Sequence, residues 1–173
     1  MEASRYNRKH RRQTAGRRGV ETLEVVLALP VLLIATIAVF EFGFLILVHQ
    51  AVTTAAVEGV REAAKDQSTT EATALEVQRI LGVHEMSFAT TGTNTTDDVR
   101  VVVERFGSPT DQVGNTSLLC SPQGITLLPN QIRVTVCIRM TNANGRPVPN
   151  WLSSLGFTLV DRRLEASALA SAE

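Results

Sequence analysis

The chain has 173 residues, 44% of them hydrophobic, and its 17 basic and 17 acidic side chains cancel to no formal net charge. The balance hides an asymmetry, because the first 19 residues carry +6 and the remainder −6. An acidic body argues against nucleic acid as a partner, since phosphate binding needs a basic face, and a basic leader abutting an apolar span is read as a topology signal. The length suggests one globular domain.

Met1 to Gly19 holds Arg5, Arg8, Lys9, Arg11, Arg12, Arg17 and Arg18 against a single acid, Glu2. An apolar run follows, Val25 to Val48, 24 residues in which Glu41 is the one charge. At about 1.5 Å per residue this is long enough to cross a bilayer as a helix. Seventeen of its residues are Val, Leu, Ile or Phe. Their insertion is worth on the order of −5 to −10 kcal/mol, against about +3 for one acid at mid-helix. Membrane insertion therefore wins, although a soluble-core helix is the plainer alternative. Beyond the run only Arg61 and Lys65 lie close by, so the positive-inside rule puts the N-terminus in the cytoplasm. No small-residue cleavage signal follows Val48, and the run is expected to stay as an anchor.

Within the run, Pro30 removes one helix hydrogen bond and is expected to bend the rod. Glu41 lies seven residues before Val48, about 10 Å from the outer end of the run. An acid in that setting marks a polar contact to a partner helix, or is simply tolerated in its protonated form near the interface.

The junction between leader and apolar run is the more specific signal. Arg17-Arg18-Gly19 is followed by Val20, with Glu24 four residues further on. This resembles the cleavage site of type IV prepilins. From Gly19 through Glu24, Pro30, Glu41-Phe42-Gly43 and the alanine-rich stretch Ala51 to Ala64, the chain is similar to the TadE-like family. Those proteins are minor pseudopilins of the tight-adherence (Flp) pilus and secretion apparatus. Val25 departs from the pattern, since pilins of this apparatus often have an aromatic residue after the glutamate.

The resemblance implies a cut between Gly19 and Val20 by a membrane-embedded prepilin peptidase. It also implies a pilin-like fold, a place in the bacterial inner membrane, and other pilin-like subunits and the secretion platform as partners. The residues support a physical role independently. Positions i and i+4 share a helix face, so a freed Val20 amine and Glu24 would be neighbours. A carboxylate near hydrocarbon needs a partner, and the α-amine of an adjacent subunit would supply one. The plainer alternative makes Glu24 an interfacial residue of an ordinary anchor.

After Val48 the helical pattern continues. Val52, Ala55, Ala56, Val60, Ala63 and Ala64 recur near i, i+3, i+4 spacing and offer a small-residue face suited to a sheet or another helix. Asp66 to Thr70 breaks the pattern. Ser68-x-x-Glu71 then reads as a capping box opening a second helix to Leu81, closed by Gly82. Beyond it the character is β. Asp98–Phe106 is valine-rich, and Gln131–Thr141 alternates as a half-buried strand with Cys137 on its more polar side. Asn142 to Gly145 supplies a turn, Phe157–Leu164 a possible last strand, and Glu165–Glu173 a weak tail. Thr90–Asp98 and Gly107–Thr116 read as exposed loops.

Cys120 and Cys137 are the only cysteines. On the outer side of a membrane an even pair in a small domain reads as a bridge, the alternative being two unrelated thiols. No catalytic motif, glycine-rich phosphate loop or metal-ligand spacing is present. The expectation is therefore no enzyme, no cofactor and no metal.

Together these features predict an α+β protein in three segments. Residues 1–19 form a basic cytoplasmic leader, 20–66 a transmembrane and extended helix, and 67–173 an exported domain of a second helix with an antiparallel sheet. The rival reading is a single-pass membrane anchor, uncleaved, presenting an extracytoplasmic binding module.

Overall fold

The computed structural model describes the backbone of residues 7–121, 126–141 and 148–172, and side-chain surroundings from Thr22 onward. The turn expected at Asn142 to Gly145 lies outside the described residues, as does the start of the leader. Helix α1 spans Asn7–Ala63 and α2 spans Thr70–Gly82. Five strands follow: β1 (Thr93–Asn94), β2 (Val99–Arg105), β3 (Asp111–Asn115), β4 (Gln131–Arg139) and β5 (Arg163–Ser171). The fold class is α+β, as expected. Contacts divide the chain into two compact units, 1–41 and 42–173.

In the second unit one sheet is built in the order β1-β3-β2-β4-β5. It is mixed rather than purely antiparallel, because β1 pairs in parallel with β3. The remaining pairs are antiparallel, β4 lying between β2, which it pairs from Ile132 to Ile138, and β5, which it pairs along its full length. Val99, Val101 and Val103 of β2 and Ile132, Val134, Val136 and Ile138 of β4 point to one face, as period-two alternation requires. That face meets the small-residue stripe of α1, whose Val52, Ala55, Ala56, Val60 and Ala63 are all buried, together with Ala74, Val77 and Leu81 of α2. Gly59 allows the closest approach: a methyl there would stand 2.8 Å from Val77 Cγ2 and 3.2 Å from Val134 Cγ1.

Four local expectations change. The cap of α2 is Thr69, not Ser68: its side chain accepts from the Ala72 N–H at 3.1 Å, with backbone in the extended region that an N-cap adopts. Glu71 therefore falls in the first turn, where the helix dipole favours an acid. The loop expected over 107–116 contains β3, and the one over 90–98 contains β1. The last strand begins at Arg163, so the Glu165–Glu173 tail supplies most of it.

Strand β4 is buried on both faces rather than half-buried. On the side away from the helices, Arg133 donates to Glu104 at 2.6 Å directly across on β2, and Thr135 meets Ser167 at 2.8 Å directly across on β5. The alternation marked these residues polar. Cross-strand partners satisfy their polarity and let them sit inside.

Candidate functional site

The residues singled out by the sequence fall in two places. The first is the N-terminal part of α1. Every described residue from Thr22 to Thr36 is exposed, and Val39 and Phe40 are exposed again. The lengthwise run of uncovered Leu, Val, Ile and Phe side chains makes this a helix long and apolar enough to cross a membrane. From Thr22 to Phe40 the rise is about 28 Å, close to the roughly 30 Å thickness of a bilayer's hydrocarbon core.

Glu24 is exposed on this stretch. Pro30 lies inside the helix, which continues through it. The α1 backbone also passes through Gly19 and Val20, whose side-chain surroundings lie outside the described residues. Glu41 differs from Glu24 in being completely buried, at 0% exposure. The seventeen-residue spacing already placed these two acids on different helix faces; burial separates their environments as well.

The second place is the brace on the far face of the sheet. Cys120 and Cys137 are joined in a disulfide, with Cα atoms 5.9 Å apart and a separation of 17 positions in sequence. The bridge holds the segment after β3 over β4. Arg100 Nη1 donates to the Leu118 carbonyl at 2.7 Å, Arg163 Nη1 to the Leu119 carbonyl at 3.3 Å, and the Ser121 N–H to Glu165 Oε2 at 3.1 Å. Leu118 is buried beneath this lattice. Cys137 itself is buried, so the bridge secures the covering of a second core face and not merely a surface loop.

Replacing both cysteines with alanine should lower stability by about 3 kcal/mol, as loop-closure entropy gives for a loop of this size. Denaturant midpoints of the detergent-solubilised protein would show it; an unchanged midpoint would mean that the surrounding hydrogen bonds suffice.

Among the described residues no group of three His, Cys, Asp or Glu side chains is placed to hold a metal ion. Sequence reasoning had no signal for the burial of Glu41. It also missed the ring contact between Phe42 and Phe157, whose centroids are 4.9 Å apart.

Among the described residues one helix is long and apolar enough to cross a membrane, and it points to a membrane-anchored protein. Residues 19–61 match the family model described as TadE-like protein, the family that the stretch from Gly19 to Ala64 resembles. That match points to a component associated with a tight-adherence pilus. No curated protein and no solved structure matches the chain.

Proposed function

We propose that this chain is a minor pseudopilin, a structural and assembly component of a tight-adherence (Flp) pilus or related secretion system. It is made as a precursor with its basic leader in the cytoplasm. A prepilin peptidase cuts between Gly19 and Val20, α1 stays in the inner membrane, and residues 67–173 lie outside. Glu24 then meets the α-amine of a neighbouring pilin-like subunit and sets the register of assembly. Pro30 gives the helix a soft point for leaving the bilayer.

The observation that carries this reading is the coincidence at residue 19. The family match begins there, the basic leader ends there, and the apolar helix with Glu24 exposed follows at once. The Cys120–Cys137 disulfide adds support, because such bonds persist in oxidising compartments outside the cytoplasm. Protease added to intact spheroplasts should therefore degrade the domain and leave the helix protected. A domain that survives until the membrane is lysed would contradict the orientation.

A second reading, an uncleaved anchor presenting a binding module, draws on one feature. A cleft of about 280 Å³ lies beside α1, lined by Phe44, Val48, Met86, Met140 and Arg139 among others. Retention of residues 1–19 in the mature protein is what would favour it.

A further inference from the structure

The segment between β4 and β5 has a composition that the assembly role does not use. From Val148 to Val160 it reads VPNWLSSLGFTLV, without a single charge. Its shape is built rather than loose. Leu152 and Leu159 are buried anchors. Between them a short 3-10 turn, Ser153–Leu155, is closed by Leu155 N–H donating to the Leu152 carbonyl at 2.9 Å and Phe157 N–H to the same carbonyl at 3.2 Å. Gly156, at φ 84°, makes the reversal. The turn directs two large apolar side chains outward, Trp151 at 62% and Leu155 at 61% exposure. Single exposed apolar residues are ordinary. A tryptophan and a leucine together on a charge-free, hydrogen-bonded loop form a patch that asks for a partner.

The place of the loop along the chain identifies that partner. Phe157 packs on Phe42 of α1, two residues beyond Phe40, the last of the uncovered apolar side chains before Glu41. The loop thus touches α1 six residues, about 9 Å, before the outer end of the apolar run at Val48, within reach of the interface at which tryptophan concentrates in membrane proteins. Arg162 and Arg163, both exposed, follow the loop and suit lipid phosphates. We propose that Val148–Val160 is a second membrane contact, a foot whose Trp151 and Leu155 rest in the headgroup–acyl boundary of the outer leaflet. This inference rests on the reading that α1 spans a bilayer. Amphipathic elements of this kind settle about 5–10 Å into that boundary, and the foot would hold the exported domain to the lipid surface at a second point.

Trp151 is the only tryptophan in the chain, so the intact protein carries its own probe. The full chain is reconstituted in vesicles of phosphatidylcholine and phosphatidylglycerol, with and without phosphatidylcholine brominated near the top of one acyl chain. The proposal expects brominated lipid to remove most of the Trp151 emission, and aqueous acrylamide to quench little of it. A double variant, W151F with F40W, reports on the anchor alone. Bromine quenching of F40W but not of Trp151 overturns the foot and leaves the anchor standing. Quenching of neither overturns both. Shielding of Trp151 from acrylamide without bromine quenching overturns the proposal in favour of a protein partner on the loop.

Discussion

Replacing Glu24 with glutamine should abolish co-purification of this chain with its neighbouring subunits while leaving membrane insertion unchanged. The side chain keeps its size and loses only its charge. Insertion is driven by the apolar residues around it, and removing one acid makes it easier. Assembly is different. If the Glu24 carboxylate pairs with the α-amine of an adjacent subunit inside the bilayer, removing one partner strands the other charge in a medium that cannot solvate it. That loss is typically about 3–5 kcal/mol, or roughly two to four orders of magnitude in association.

A variant that cannot be cut after Gly19 lacks the free amine and should fail to the same degree. The two changes combined should then cost no more than either alone, as expected when both remove one interaction. Additive losses would mean that Glu24 and the N-terminus act separately, and normal co-purification of the glutamine variant would remove Glu24 from the mechanism.

The second large effect lies in the sheet. Gly114 sits in β3 at φ 89°, where a side chain is strained, and a methyl there would lie 2.4 Å from the Val99 carbonyl oxygen on the neighbouring β2. A flexible side chain could turn away from such a clash, but a carbonyl in a ladder cannot. Strain and overpacking together put Gly114→Ala at about 2–6 kcal/mol.

The damage should spread locally. Gly114 N–H donates to the Gly92 carbonyl, and the next residue, fully buried Asn115, donates from its side chain to the Asp97 carbonyl at 2.5 Å. Together these hold β1 and the entry to β2. A thermal melt of the solubilised full chain should show the midpoint lowered on the order of 10 °C. An unchanged midpoint would mean that the β2–β3 register can shift to make room.

What could be read from the residues follows a physical division. The stripe on α1 from Val52 to Ala64, the second helix, and strands β2 and β4 announce themselves because their apolar periods match their geometry and all face one core. The two cysteines were read as a bridge from compartment alone, and the bridge is present.

Strand β5 was hidden because EASALAS is composed of residues that favour helices or loops. It becomes a strand through nine residue pairs with β4, from Gln131↔Ser171 to Arg139↔Arg163, a tertiary contribution that no local window contains. Strand β3 was hidden by Gly114, which reads as a turn signal and serves instead for close approach to β2. Burial of the polar face of β4 depends on partners on β2 and β5 and on the disulfide-held segment, all distant in sequence.

At the candidate site the long apolar helix was legible from hydropathy, and Glu24, singled out by its spacing from Gly19, is exposed on it. The burial of Glu41 was not, because a single acid within an apolar run carries no mark of what will cover it.

The account turns on the junction between leader and helix. The most direct measurement is the N-terminal sequence and intact mass of the protein extracted from membranes of cells that contain a prepilin peptidase. The account predicts a chain that begins at Val20 with a free amine and lacks the seven basic residues of the leader. A mature protein that still begins at Met1 and retains those residues would contradict it.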